Sequence, residues 1–395
     1  MLRILHVIPS VSRVHGGPSH AMELMESALV DAGAGVTTVT TDDDGLGRRY
    51  AVNPSQTAPG IHRLYFRKWT EFYKFAPGVF YWIMRHARDF DVIHVHALFS
   101  FTSLAAGLAA RLRGVPYIVR PLGTLNAYGV KQRRPWLKSV SIRLFERPLL
   151  ANAAAVHFTS RAECDEARAT GIPMRAVIVP LGVRPPESND RLELPFRADA
   201  DRKIVLFLSR LDPKKNVEGL LQAFSRVRRS FPDALLVIAG GGAPAYVRGL
   251  KDLAAKLAID DATIWTGHID GRAKWGALMR ADVFVLPSFS ENFGIAVAEA
   301  IVAGRPCVVG RGVALAEAVA KAGAGLVTDP VPDDIADKIE RLLGDEALRD
   351  QCGMAAAALA EEFSPTAMAG SLLEVYRSCA SVRTKKSVQP DLMRP

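Results

Sequence analysis

Residues 281–310 read ADVFVLPSFSENFGIAVAEAIVAGRPCVVG, and the rest of the chain is ordered around them. Val283 to Leu286 is a short apolar run, β-branched enough to form a buried parallel strand. Pro287 ends it. Ser288 to Asn292 make a polar loop, Gly294 leads into a helix of Ala, Ile, Val and Glu, and Gly304 stands where that helix stops. Arg305-Pro306 then hand over to a second apolar run, Cys307-Val308-Val309. Strand, loop and helix start in succession leave the first helical N–H groups unpaired and facing the loop, which makes an anion site. Glu291 and Glu299 flank it. Such a site suits a ligand with phosphate in its middle and hydroxyl-rich rings on either side. Ser288-x-x-Glu291 also fits a capping box, in which Glu291 would serve only its own backbone, and Glu299 also fits a solvated helix position.

Working outward, the second half alternates strand and helix patterns. Strands are expected at 204–208, 234–239, 263–265 and 326–327, and helices at 217–230, 246–257, 273–280, 314–321, 333–343 and 346–362. After the first of these strands comes Ser209-Arg210-Leu211-Asp212-Pro213-Lys214-Lys215-Asn216, a basic loop just before a helix. Arg210 offers a planar fork for paired phosphate oxygens and Lys215 a compact point charge. A solvated basic loop would explain either residue alone. Gly240-Gly241-Gly242 and Gly267-His268 follow the next two strands and would make a smooth wall for a base or ribose. A last amphipathic helix is expected over 365–379, ahead of a polar, basic and disordered tail.

The first half alternates in the same way, with strands at 4–8, 36–41, 92–95, 117–119, 156–159 and 177–179 and a first helix over 19–32. Strands alternating with helices imply a parallel doubly wound sheet, with ligands beyond the carboxyl ends of its strands. Gly16-Gly17 lie in the first such loop, where they would let a ligand approach the backbone or simply form a tight turn. His94 and His96 share one face of a strand end, and the spacing shows no third metal ligand. Asp42-Asp43-Asp44-Gly45 reads as a solvated turn. Residues 185–201, Pro-rich, charged and without period, read as the linker.

Charge is divided unevenly. Residues 1–185 hold 23 Lys plus Arg against 13 Asp plus Glu, a net of +10, whereas 186–395 hold 27 against 28, a net of −1. An anionic partner for the first half follows: a membrane surface, a phosphorylated acceptor or nucleic acid. Residues 62–90 contain a third of the aromatics together with Arg63, Arg67, Lys68, Lys74, Arg85 and Arg88, and residues 131–149 mix six basic residues with Trp136, Leu144 and Phe145. Interleaved on helices, these fit an interfacial membrane surface, or else a core or an acceptor cleft. No nucleic-acid motif accompanies the charge. The four cysteines lack metal or disulfide spacing and are expected as reduced cytosolic thiols. No apolar run is long enough to span a membrane, and the N-terminus is too short in apolar residues for a signal peptide.

Arg210-x4-Lys215 combined with Glu291-x7-Glu299, inside P-S-F-S-E-N-F-G-x4-E-A, resembles glycosyltransferase family 4 over residues 1 to about 380. That resemblance implies an α/β GT-B fold: two Rossmann-like doubly wound domains facing across a cleft. It would place an acceptor domain at 1–185, a nucleotide-sugar domain at 186–363, a helix at 364–380 crossing back to the first domain, and a tail at 381–395. It implies a retaining hexosyl transfer from a nucleotide-diphosphate sugar to a lipid-linked or glycan acceptor, in cell-surface polysaccharide or glycolipid synthesis. Arg210 and Lys215 would hold the diphosphate, helped by Gly16, Gly17, Gly267 and the segment Asn292, Phe293, Gly294 and Ile295. Glu291 would meet the sugar and Glu299 the ribose; catalysis would rest on Glu291, Arg210 and Lys215, and the acceptor on His96, Arg120 and Asn126. No bound metal or other cofactor is expected. The chain would be cytoplasmic and peripheral on the inner face of the membrane. Alternatives within the fold are an inactive nucleotide-sugar-binding subunit, a sugar-nucleotide epimerase or a phosphorylase. In one respect the chain departs from the family: relatives place a His near Leu122, so the donor sugar contact it makes must come from elsewhere.

Overall fold

The computed structural model of the chain describes all residues except 13, 15–16, 46, 48–59, 126–140, 187–191, 200 and 388–395, and omits the side chains of 382–387. It divides into two compact units, Met1–Gly182 with Pro365–Pro395, and Val183–Ser364.

The first unit is built on seven parallel strands: β1 (Arg3–Val7), β2 (Gly35–Thr41), β3 (Ile61–Phe66), β4 (Val92–His96), β5 (Tyr117–Arg120), β6 (Ala155–Phe158) and β7 (Ala176–Ile178). Their order is β3-β2-β1-β4-β5-β6-β7. Connections run through helices α1 (Gly17–Asp31), α2 (Pro77–His86), α3 (Phe101–Arg113), α4 (Arg147–Ala151) and α5 (Arg161–Arg168). Alternate strand residues divide the labour. Leu5, Val7, Ile93, Val95, Val119, Val156 and Phe158 face an apolar layer that includes Val79, Ile83 and the alanines of α3. The intervening residues put polar groups on the other face, discussed below. The direction reverses between β1 and β4, and that is where a doubly wound sheet opens a crevice.

Three expectations for this unit are corrected. Residues 61–66 form an edge strand, with Val36 registered on Ile61, where only a basic, aromatic helical surface was expected. Its period-2 pattern is hidden because Arg63 turns inward to an ion pair with the fully buried Glu26. The Asp42–Gly45 turn is not solvated: Asp43 is 1% exposed and holds Lys68 and Lys74. Three of the six basic residues of that stretch are therefore consumed internally, while Trp69, Phe72 and Tyr81 stay exposed. The last helix, α13, runs Pro365–Ser387, past the end expected at 379 and into the stretch read as a disordered tail. The second basic stretch lies mostly outside the described residues, as does the end of the tail.

The second unit carries six parallel strands: β8 (Ile204–Leu208), β9 (Leu235–Ala239), β10 (Thr263–Gly267), β11 (Val283–Leu286), β12 (Cys307–Gly310) and β13 (Gly325–Thr328). Their order is β10-β9-β8-β11-β12-β13, so the switch falls between β8 and β11. Helices α6 (Val217–Ser230), α7 (Pro244–Lys256), α8 (Gly271–Arg280), α9 (Ile295–Val302), α10 (Ala316–Ala322), α11 (Pro332–Gly344) and α12 (Glu346–Leu359) complete it. The four strands β8, β9, β11 and β12 are buried almost throughout, as the absence of polar alternation in their sequences requires. All four cysteines are unpaired and buried. Among the described residues, no helix is long and apolar enough to cross a membrane.

Candidate functional site

At the switch point of the second unit, two loops leave adjacent strands. The loop after β8 runs through Arg210 to Asn216, and the loop after β11 runs from Pro287 to Gly294. Backbone bonds tie them together: Phe289 N–H donates to the Lys214 carbonyl at 3.0 Å. Asn216 caps the arrangement from below. It sits in the left-handed region (φ 57°), 5% exposed, and its amide donates to the carbonyls of Pro287 (3.3 Å) and Pro330 (3.1 Å). Glu291 N–H donates to Gly312 at 3.0 Å, and Ala314 N–H donates back to Glu291 at 3.1 Å. The loop is thus fixed on both sides.

That frame brings Lys215 and Glu291 together as an ion pair, with the buried Ser288 hydroxyl donating to the same carboxylate oxygen at 3.2 Å. Glu291 does not cap its own backbone. The helix starts only at Ile295, and Gly294, at φ 91°, leads into it with no side-chain cap on the first N–H groups. These amides are the positive end of a helix. Glu299 lies inside α9, 3% exposed; Lys274 of α8 donates to Oε1 at 2.6 Å, while Oε2 is buried without a partner. A solvated helix position is excluded. An unmatched buried carboxylate oxygen is an acceptor waiting for a hydroxyl.

Other expected residues fall less tightly. Arg210 is exposed at the start of its loop and makes no ion pair among the described residues. Asn292 and Ile295 are half-buried, and Phe293 is buried with its ring against Phe363. Gly267 ends β10 at φ 70° with open space beside its α-carbon. Gly17 opens α1 in the same way, exposed. Gly16 and Asn126 lie outside the described residues. Packing accounts for two of the glycines after β9: a Cβ on Gly240 would stand 1.8 Å from the Ser209 carbonyl oxygen and one on Gly242 2.5 Å from that of Leu211, so they let β9 and the Arg210 loop pack backbone to backbone.

In the first unit, the strand ends carry a buried polar cluster. Register pairs His6 with His94 and His96 with Arg120, which puts all four on one face of β1, β4 and β5; His157 of β6 joins them. His6, His94 and His96 are fully buried. Burial first, and the Arg120 charge with it, holds His6 and His157 down to about 3. Burial and the neighbouring imidazoles likewise push His94 well below its usual value. All are neutral, and their protons can be placed. His157 Nε2 faces only the Val179 carbonyl, at 2.9 Å, and must donate to it. Its Nδ1 then accepts from His94 Nε2 at 3.4 Å, and His94 Nδ1 accepts the Tyr376 hydroxyl of α13 at 2.7 Å. The third imidazole missing from the spacing argument is therefore His6: with His94 and His96 it offers nitrogen atoms within 4.8 Å of one another.

Two family models account for most of the chain: "Glycosyl transferase 4-like domain" matches residues 16–182, and "Glycosyl transferases group 1" matches residues 190–358. The chain belongs to glycosyltransferase family 4. Among similar proteins, this glycosyltransferase is 28% identical over 329 residues to a D-inositol 3-phosphate glycosyltransferase of Corynebacterium efficiens, spanning 78% of this chain and 76% of the relative. It is 33% identical over 210 residues to a glycogen synthase of Mycobacterium tuberculosis, about half of each chain. Among solved structures, a sucrose-phosphate synthase from Thermosynechococcus elongatus superimposes with a TM-score of 0.72 at 22% identity, covering 97% of this chain and all of the other. Anabaena HepE in complex with UDP and glucose gives 0.74 at 17% identity, covering 96% and 100%. The two parallel-sheet units of the glycosyltransferase are those of the GT-B fold.

Sequence reasoning took Ser288 only as a possible cap, and missed Lys274 and Asn216 in the second unit and His6, His157 and Tyr376 in the first. His6 carried a readable signal, since it is the penultimate residue of a strand whose partner strand ends in two histidines. Lys274, a lysine on an ordinary helix, carried none.

Proposed function

We propose that this chain is a retaining hexosyltransferase that takes its sugar from a nucleotide-diphosphate donor and passes it to a glycan or lipid-linked acceptor without a bound metal. The observation that carries this is the ion pair of Lys215 with Glu291 beside the uncapped start of α9, at the switch point of β8 and β11. Both lysines of the site are held by carboxylates, Lys215 by Glu291 and Lys274 by Glu299. A diphosphate would draw Lys215 toward itself and leave Glu291 free for sugar hydroxyls, while the unmatched oxygen of Glu299 takes a ribose hydroxyl. Arg210, exposed at the loop start, adds a third cation. A structural neighbour supports the donor class: HepE was crystallised with UDP-glucose.

Bond breaking at the anomeric carbon puts positive charge on the sugar and negative charge on the departing diphosphate. Lys215, Arg210 and the first amides of α9 stabilise that negative charge where it grows. The acceptor oxygen attacks from the face the diphosphate leaves, its proton passing to the departing phosphate oxygen as the carbon–phosphate-oxygen bond breaks. Configuration is then retained. Residues 1–185, with their net charge of +10, and the exposed Trp69, Phe72 and Tyr81 among them fit an acceptor presented at an anionic membrane surface, as in the assembly of surface polysaccharides or glycolipids.

The test is turnover of UDP-, GDP- and ADP-sugars with candidate acceptors, the product's anomeric configuration being read by NMR. Lys215→Ala and Arg210→Ala are each expected to lower kcat about 10²–10³-fold at saturating donor. Unchanged kcat removes them from the mechanism, an inverted product refutes the front-face path, and donor binding without any transfer makes the chain a binding subunit.

A further inference from the structure

Among the described residues, one buried cation of the first unit has no carboxylate paired with it. Arg120, the last residue of β5, is 4% exposed, and its Nε is buried without a hydrogen-bond partner. Among the described residues no carboxylate forms an ion pair with its guanidinium. The negative charge acting on it is that of Glu163, but this carboxylate is already engaged, accepting from Gly123 N–H (2.8 Å), Thr159 N–H (2.8 Å) and the Thr159 hydroxyl (2.9 Å). Stripping a guanidinium of water without supplying a counter-ion is costly. A fold keeps such a group where a ligand brings the missing anion.

Three further observations fall at the same place. His96 is registered on Arg120, so both end their strands on one face, at the carboxyl edge where ligands of such sheets sit. His6 Nε2 and His96 Nδ1 are buried and unmatched. Because His6 Nδ1 and His96 Nε2 lie 2.8 Å apart and share one proton, one unmatched atom is always an N–H and the other a lone pair. The loops leaving β4 and β5 also hold three non-glycine residues in the left-handed region: Ala97 (φ 76°), Phe99 (φ 55°) and Leu122 (φ 56°). Strain of this kind gathers at ligand sites.

His6, His94 and His96 could also suggest a cation site. Arg120 argues against it, because a fixed guanidinium beside the imidazoles repels a metal ion. His94, moreover, has both nitrogens committed to Tyr376 and His157. The cluster is built for an anion that also carries a hydroxyl.

We propose that the carboxyl ends of β4 and β5 form an oxyanion pocket, in which Arg120 pairs with a phosphate monoester on the sugar acceptor and the His6–His96 pair meets that acceptor's hydroxyl groups. This rests on the reading that the first unit takes the acceptor. A phosphate monoester supplies oxygens for the guanidinium fork and, as a monoanion, an O–H for the bare imidazole nitrogen; a carboxylate supplies only the first.

Inorganic phosphate is the probe, with the full chain. Because phosphate would also enter the diphosphate site, the titration is made on the Arg210→Ala/Lys215→Ala chain, by calorimetry and by imidazole ¹H–¹⁵N spectra. Saturable binding that moves the imidazole signals is expected. Adding Arg120→Met should weaken it more than tenfold, with Arg120→Lys in between. In the wild-type background, a thermal shift with UDP that Arg120→Met leaves intact shows that the variant is folded and keeps the donor reading separate. If UDP fails to bind the wild type, the donor reading falls while the phosphate titration still decides this one. Phosphate binding that vanishes with Arg210 and Lys215, that is unchanged in Arg120→Met, or that acetate matches, overturns the proposal. Displacement of phosphate by glycerol 3-phosphate supports a soluble monoester; displacement only by vesicles containing phosphatidic acid supports a lipid-borne one. Failure of both overturns it.

Discussion

Tyr376 joins the last helix of the chain to the central strands through a single hydroxyl. Its ring is fully buried, and among the described residues its O–H is the proton that His94 Nδ1 accepts once His157 has committed its own to Val179. Tyr376→Phe keeps the ring and removes the donor, leaving a buried imidazole nitrogen bare. The expected loss is about 1–3 kcal/mol of unfolding free energy, read as a lower urea midpoint; Tyr81→Phe, at an exposed ring, should change nothing measurable. Lys215 and Glu291 are legible in the sequence because loops at a switch point are where ionic residues acquire a purpose. Tyr376 and His157 are not. Alternation tells which face of a strand a residue takes, but strand order decides whose neighbours it meets, and no local pattern encodes strand order. Asp43 misleads for the same reason: three consecutive aspartates look like a solvated turn until the lysines 25 and 31 residues away fold over one of them.

At the scale of elements, the Glu291 loop is positioned by a neighbour that contributes no side chain. Gly312 packs so closely that a Cβ there would stand 2.0 Å from the Phe289 carbonyl oxygen, and its own carbonyl accepts Glu291 N–H. Backbone cannot retreat as a flexible side chain can. Gly312→Ala must therefore push residues 289–291 away, breaking the Lys215–Glu291 pairing while touching neither residue. Turnover is expected to fall at least tenfold with the fold retained, a result of steady-state kinetics beside circular dichroism; wild-type kcat would show that the loop position is immaterial. Parallel strands of unbroken apolar residues are read from the sequence without difficulty, and β8, β9, β11 and β12 stand where expected. Edge strand β3 escapes because its inward Arg63 replaces an apolar residue in the alternation. The end of α13 escapes because a basic, polar sequence carries no apolar stripe, although nothing in it breaks a helix before Ser387.

For the whole molecule, the buried imidazoles make acid the weak point of the first unit. His6, His94, His96 and His157 stay neutral in the fold, held below their ordinary 6.5 first of all by burial; His6 and His157 come down to about 3. Unfolded, each takes up a proton as pH falls through 6.5, and the folded chain refuses it, so the unfolded state binds more protons and stability falls with pH. Each imidazole costs about 1.4 kcal/mol per pH unit below 6.5. Glu146 works the other way: burial raises it to about 7, so between 7 and 4.5 the folded chain holds a proton the unfolded chain lacks. Four imidazoles less one carboxyl leave about three protons, or about 4 kcal/mol per pH unit, against a total stability of about 5–15 kcal/mol for a domain. The second unit has no such cluster among the described residues. Pulsed hydrogen exchange in urea, read peptide by peptide between pH 7.5 and 5.5, should therefore show β1 and β4 losing protection at progressively lower urea while β8 and β11 hold theirs. Parallel behaviour of the two units over that range would mean that the imidazoles are not kept neutral by the fold.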